Sequence, residues 1–312
     1  MTEKYLVTGG AGFIGSHMVE RLLAQKKHVR VLDNFSTGKR ENLAPFIHDI
    51  ELHEGDIVSA EDSARAMEGV SHVVHLAAQA SVVRSVEAPM ETHTINVTGT
   101  LELLEAARNK KVKAFVLAST CAVYGQNSNL PIKEDTTPVC LSPYAASKLA
   151  AEEYVRLYRT LFAVPAVVFR LFNVFGPRQD PSSPYSGVIS AFADKLSKKE
   201  CGTIYGDGKQ TRDFVFVKDV VRFFDMAVQR PEKFDASAYN VASGKQISIL
   251  ELYQCLAALA GSSSEPRMAP ARTGEVRHSQ GSVDRLRSAV GEKEIDLCIS
   301  FKDGLAETFR AY

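Results

Sequence analysis

Thr8-Gly9-Gly10-Ala11-Gly12-Phe13-Ile14-Gly15 follows the apolar run Tyr5-Leu6-Val7 directly and opens a helical pattern that runs from about Ile14 to Lys26. Gly10, Gly12 and Gly15 fit G-x-G-x-x-G, and Gly9, Gly12 and Gly15 fit the wider G-x-x-G-x-x-G. Glycine lets the backbone turn tightly and approach a pyrophosphate, whose charge then sits at the positive end of the helix. A glycine turn alone is a weak signal. Its weight comes from the next apolar run, Val29-Arg30-Val31-Leu32, which ends in Asp33 at the distance where a carboxylate accepts hydrogen bonds from an adenosine ribose and repels a 2′-phosphate. The expected cofactor is therefore NAD rather than NADP. Lys39 and Arg40 follow in the loop, where they either soften this preference or form a solvated turn.

Outward from this turn, apolar runs alternate with helical patterns: Ile50-Glu51-Leu52, Val73-Val74-His75-Leu76, Ala114-Phe115-Val116-Leu117 and Ala166-Val167-Val168-Phe169-Arg170-Leu171, with a long amphipathic stretch from Leu149 to Phe162. Short strands apolar on both faces and separated by helices signify a parallel sheet covered on two sides. The expectation is an α/β, doubly wound Rossmann sheet. After Gly176-Pro177 the texture changes, with Asp180-Pro181-Ser182-Ser183-Pro184, Gly261-Ser262-Ser263-Ser264 and the stretch Pro266 to Gly274 reading as loops. A nucleotide-binding domain over 1–175, with return segments from about 213–242, and a smaller carboxy-terminal α/β substrate-binding region over 176–312 are expected.

The chain has 312 residues and is 45% hydrophobic, enough for a full core, and its 37 Lys and Arg balance 37 Asp and Glu. No footprint for wrapping a nucleic acid results. No apolar window reaches the roughly 20 residues that cross a bilayer, and the amino terminus lacks a secretory pattern, so a cytoplasmic protein without membrane partners is expected. Cys121, Cys140, Cys201, Cys255 and Cys298 show no C-x-x-C spacing, which implies neither a metal site nor a disulfide framework.

Tyr144-Ala145-Ala146-Ser147-Lys148 follows Ser142-Pro143, a helix start, and puts a phenol and an ammonium on one helical face. A lysine cation and a positive nicotinamide ring both favour the phenolate, bringing Tyr144 toward neutrality as a general base while hydride leaves for NAD. Lys148 tunes it and binds the nicotinamide ribose. The same spacing also arises by chance on helix surfaces. Ser119-Thr120 ends the fifth apolar run, where hydroxyls face the ligand crevice or simply cap a turn.

These motifs, together with Asp33-Asn34, Gly55-Asp56-Ile57, His75-Leu76-Ala77-Ala78, Asn96-Val97-Thr98-Gly99-Thr100, Val123-Tyr124-Gly125, Arg170-Leu171-Phe172-Asn173 and Arg212-Asp213-Phe214, span nearly the whole chain. The chain resembles the extended short-chain dehydrogenase/reductase family, and within it the UDP-glucose and UDP-N-acetylglucosamine 4-epimerases. The resemblance implies cofactor contacts from Gly9, Gly12, Phe13, Ile14, Gly15, Asp33, Asn34, Ser36, Thr37, Gly38, Asp56, Ile57, Leu76, Ala77, Ala78, Asn96, Tyr144 and Lys148. Asp56 and Ile57 then flank the adenine. It implies catalytic roles for Tyr144, Lys148, Thr120 and Ser119. Asn173, Arg212 and Arg272 hold the substrate diphosphate, with Gly187, Val188, Tyr205, Glu275 and Ser279 also in the substrate site.

The family's catalytic hydroxyl is commonly serine, whereas this chain has Thr120, which offers the same hydrogen bond with less rotational freedom. Related 4,6-dehydratases carry an acidic pair immediately afterwards; here Cys121-Ala122 stands there, so the acid for dehydration is lacking. Small residues at Gly187 and Ser279 imply room for an acetamido group. The resemblance thus implies NAD-dependent 4-epimerisation of a UDP-hexose through a transient 4-keto sugar. A nucleotide-sugar dehydrogenase or reductase and an NAD-binding regulatory protein are the alternatives. Relatives pair through the stretches matching Val97 to Arg108 and Leu149 to Tyr158, which implies a homodimer.

Overall fold

The computed structural model describes residues 3–181, 187–235, 238–271 and 276–312. The apolar runs of the first half become β1 (Lys4–Thr8), β2 (His28–Asp33), β3 (Ile50–Glu54), β4 (His72–His75), β5 (Ala114–Thr120) and β6 (Ala166–Leu171). With Ala238–Val241 they form a seven-stranded sheet, in the order Ala238–Val241, β6, β5, β4, β1, β2, β3. β1 runs parallel to both β2 and β4, as β2 does to β3 and β4 to β5. Every residue of β4, β5 and β6 is buried, which is why these strands read as mainly apolar runs; β3, at the sheet edge, mixes Glu51 and His53 with Ile50 and Leu52.

The chain winds outward from β1 to β3 and then returns to lay β4 on the other side of β1. Such a reversal leaves a crevice outside the carboxyl ends of the two strands, and here those ends are Thr8 and His75. Helix α1 (Phe13–Ala24) connects β1 to β2, while Gly99–Lys110 and Pro143–Phe162 pack on the sheet through Leu103, Leu104, Ala151 and Val155, against Phe115 and Val168. Truncating a fully buried ring such as Phe115 to alanine costs about 3–5 kcal/mol. Phe169 meets Phe224, Phe234 and Tyr239 edge-on, with centroids 5.0, 5.7 and 6.3 Å away.

The chain divides into two compact units, one of Met1–Val123, Cys140–Arg170 and Val220–Tyr239, the other of Tyr124–Val139, Leu171–Asp219 and Asn240–Tyr312. The division is more interleaved than a boundary at 175. Tyr124–Val139 leaves the first unit, and the segment returning to it starts at Val220, where Asp225 accepts hydrogen bonds from Arg21 Nε (2.7 Å) and Gln25 Nε2 (2.6 Å). The second unit is also richer in helix than its loop-like composition implies. Val188–Ser197, Ile249–Leu259 and Phe301–Phe309 are helices, because its Pro, Gly and Ser clusters mark only the joints between elements. Its strands pair in twos: Asn173–Phe175 with Phe214–Phe216, Thr203–Tyr205 with Arg267–Ala269, and Thr211–Arg212 with Ile247–Ser248.

Among the described residues no helix is long and apolar enough to cross a membrane, no group of His, Cys, Asp and Glu is placed to hold a metal ion, and no two cysteines are joined.

Candidate active site

At the end of β1, Gly9 takes φ +67°, and a Cβ there would lie 2.8 Å from the Ala77 nitrogen; one on Gly15 would lie 2.0 Å from the Gly9 oxygen. Only glycine fits either place. Gly12 is the N-cap of α1, with no side-chain cap and no acidic residue in the first turn. The N–H groups opening this helix at Phe13 and Ile14 are therefore left for an external anion, the donor set that a dinucleotide pyrophosphate requires.

Asp33, at the carboxyl end of β2 and 7% exposed, accepts hydrogen bonds from the Ala11 and Phe35 N–H groups, both at 2.8 Å. Burial raises its pKa and these two bonds oppose the rise. The carboxylate thus shapes the glycine turn as well as standing where a ribose is expected. Gly38 lies close enough that a Cβ would come within 2.9 Å of Asp33 Oδ1. Asn34 Nδ2 donates to Asp56 Oδ2 at 2.9 Å and Asn34 Oδ1 accepts from the Ser36 N–H at 3.0 Å, while the adjacent Thr37 is exposed.

Ser142 caps the helix Pro143–Phe162 by accepting from the Ala145 N–H at 3.2 Å, and that helix carries Tyr144, Lys148 and Glu152 on successive turns of one face. The Thr120 hydroxyl, at the end of β5, lies beside Tyr144, where it lowers the pKa of the phenol. Lys148, 4% exposed, donates through Nζ to the Ala118 carbonyl at 2.9 Å, and burial brings its pKa down to about 8 against the opposing pull of Glu152. The expected phenolate near neutrality is not what the protein alone provides. Desolvation pushes Tyr144 up to about 12, only partly offset by Thr120. Positive charge lowers a phenol's pKa, and the oxidised nicotinamide, the hydride acceptor, would add such charge when NAD is bound.

The side chains of three expected site residues are buried against partners within the protein. Ser119 is 3% exposed and donates its hydroxyl to Glu152, which holds Arg170 through contacts of 2.7 to 3.1 Å; alternate residues of a strand face opposite ways, so only Thr120 meets Tyr144. Asn96 is 1% exposed, and its carboxamide is held by both backbone groups of Gln79 (2.8 and 2.9 Å) and by Ser147 Oγ (2.9 Å). Ile57 is a core residue against Gly99, leaving half-buried Asp56 as the side chain able to flank an adenine. Leu76, Ala77 and Ala78 follow β4 and are half-buried, as expected of a cofactor floor.

Glu152 and Arg170 escaped the sequence reading as functional residues. The available signal was a carboxylate one turn beyond Lys148 on the same helical face, where an apolar residue is the rule.

Within the second unit, the Asn173 N–H and Nδ2 both donate to the Asp213 carbonyl, at 3.0 and 3.3 Å, and Arg212 Nη1 reaches the Thr211 carbonyl at 2.9 Å. Ser279, 8% exposed, donates its N–H to that same Thr211 carbonyl at 3.2 Å, so Arg212 and Ser279 are brought together. Their support is Asp213, fully buried and accepting from the Ser243 N–H and hydroxyl, both at 2.7 Å, and from the Gly244 and Gly281 N–H groups, both at 3.0 Å. Tyr205 is 37% exposed at the end of its strand. Gly187 caps the helix beginning at Val188, and a Cβ on it would lie 3.0 Å from Gln179 Nε2, so close packing explains its small size as well as an acetamido pocket does. Arg272 and Glu275 lie outside the described residues.

A glycine turn under a bare helix end, a carboxylate closing β2 and a Thr-Tyr-Lys set at the end of β5 define a nicotinamide-dependent enzyme of the Rossmann class. Residues 5–242 match the NAD dependent epimerase/dehydratase family, and the chain belongs to that family. It is 39% identical over 294 residues, 94% of each chain, to a putative UDP-glucose 4-epimerase of Methanocaldococcus jannaschii. Among solved structures, it is similar to the UDP-N-acetylglucosamine 4-epimerase of Methanobrevibacter ruminantium in complex with UDP-N-acetylmuramic acid (TM-score 0.92, 35% identity, 100% of this chain and 98% of that one). It is likewise similar to the UDP-glucose 4-epimerase of Thermus thermophilus in complex with NAD (TM-score 0.87, 38% identity, 99% and 98%).

Proposed function

We propose that the enzyme interconverts C4 epimers of a UDP-hexose, UDP-glucose and UDP-galactose or their 2-acetamido counterparts, through a transient 4-keto sugar. The observation that carries this reading is the Thr120 hydroxyl beside Tyr144, with Lys148 one turn away and no acid after Thr120. Thr120 orients the sugar 4-oxygen and Tyr144 Oη takes its proton as hydride leaves C4. Lys148 holds the nicotinamide ribose and its charge stabilises the developing phenolate. The keto sugar then turns over, hydride returns to the opposite face of C4, and Tyr144 gives the proton back. No net oxidation results, so NAD need not exchange.

The absence of an acidic pair at Cys121-Ala122 favours epimerisation over 4,6-dehydration, since nothing there protonates a departing 6-hydroxyl. Asn173, Arg212 and Arg272 are proposed for the diphosphate, Tyr205, Val188 and Glu275 for the remaining nucleotide-sugar contacts, and Gly187 and Ser279 for space beside C2. A homodimer is also proposed: the helix Pro143–Phe162 leaves Tyr154 (37%), Leu161 (65%) and Phe162 (39%) exposed. A light-scattering mass of one chain at micromolar protein would refute the dimer. The activity is tested by incubating the purified enzyme with UDP-glucose or UDP-N-acetylglucosamine and resolving products by proton NMR. A 4-epimer from either sugar supports the reading; a 4-keto-6-deoxy product, or stoichiometric NADH, contradicts it.

A further inference from the structure

A chain of side-chain hydrogen bonds crosses the first unit beneath the crevice. The Thr8 and His75 side chains meet at 2.7 Å (Oγ1 to Nδ1), His75 Nε2 and Thr100 Oγ1 at 3.0 Å, and the Thr100 hydroxyl donates to the Asn96 carbonyl at 2.7 Å. Asn96 Nδ2 donates to Ser147 Oγ at 2.9 Å, and the Ser147 hydroxyl donates to the Tyr144 carbonyl at 2.8 Å. At the other end Thr8 Oγ1 accepts the Leu76 and Ala77 N–H groups, both at 3.2 Å. Thr8, His75, Thr100, Asn96 and Ser147 are all at most 5% exposed.

The donors settle the direction of every bond. Thr100 spends its proton on Asn96, so it accepts from His75 Nε2–H; the neutral ring then presents a bare Nδ1, which accepts the Thr8 hydroxyl. That leaves the Thr8 oxygen lone pairs for Leu76 and Ala77. A proton on Nδ1 would set ring and hydroxyl donor against donor and disturb the turn at Ala77, whose nitrogen is the atom that a Cβ on Gly9 would strike. We propose that His75, fixed as its Nε2–H tautomer, is a positioning residue that ties the Leu76–Ala77 cofactor floor to the helix carrying Tyr144. Burial and the Lys148 charge bring its pKa down to about 3, which keeps the ring neutral.

The tautomer and the NAD affinities do not depend on which sugar the enzyme takes; only the Ser147→Ala kinetics rest on the proposed reaction. Nitrogen-15 NMR of histidine-labelled protein at neutral pH is expected to show His75 in the Nε2–H form. His75→Leu, which removes donor and acceptor, is expected to weaken NAD binding about tenfold, and His75→Gln, which keeps one of each, to restore it to within about threefold of wild type. Ser147→Ala, which cuts only the link to the helix, is expected to lower kcat about tenfold with KM and NAD affinity within about twofold of wild type. An Nδ1–H or doubly protonated His75 overturns the proposal, as does a folded His75→Leu that binds NAD like wild type. Should His75→Leu not fold, the tautomer and the His75→Gln affinity decide the matter.

Discussion

Replacing Lys148 by methionine should make the cofactor-free protein more stable. The ammonium is 4% exposed, and a fall from the ordinary 10.5 to about 8 corresponds to a penalty of about 3 kcal/mol for holding the charge in the folded chain at neutral pH. Methionine fills a similar volume without a charge; losing the bond to the Ala118 carbonyl returns about 1 kcal/mol, leaving a net gain of about 2 kcal/mol. The pH dependence separates this cause from better packing. Between about 8 and 10.5 only the unfolded wild-type chain binds the lysine proton, so wild-type stability rises with pH through that window and the advantage of methionine disappears above it. Urea unfolding of both proteins, at neutral pH and again near pH 10.5, reads the difference directly. Equal stability at neutral pH, or a methionine advantage that does not shrink with rising pH, would refute the reasoning. Retention of a costly charge at the cofactor crevice is the expected trade of stability for function.

Tyr144→Phe removes the proposed proton acceptor and should lower kcat by about 10²–10⁴, with NAD binding retained, as measured by product NMR and by fluorescence titration. In Asp33→Asn the amide group must face one of the two N–H donors from Ala11 and Phe35, so NAD affinity should fall about tenfold by calorimetric titration. Glu152→Ala strands the buried Arg170 and should cost about 3–5 kcal/mol in urea unfolding, whereas Glu152→Met combined with Arg170→Met should recover most of that loss.

The nucleotide-binding half was legible in the sequence because each of its features has a local cause. Mainly apolar runs mark strands buried on both faces, Ser142-Pro143 marks a helix start, and Gly9 and Gly15 stand where no other residue fits. What the sequence concealed is non-local. Nothing in Ser119-Thr120 says which hydroxyl meets Tyr144; that follows from the pleat of β5 and from Glu152 lying below it. Nor does the sequence around Asn96 say that Gln79 and Ser147 hold its carboxamide. In the second unit, two- and three-residue strands such as Thr211–Arg212 carry no periodicity, and what organises them is the fully buried Asp213, whose partners lie 30 to 68 residues away.

The most direct measurement follows the hydride itself: UDP-glucose deuterated at C4 is incubated with the enzyme and its bound NAD, and the product is read by mass spectrometry and proton NMR. The expected result is UDP-galactose with deuterium retained at C4 and no net NADH. A product that has lost the label to solvent, or one lacking the 6-hydroxyl, would contradict epimerisation by a returning hydride.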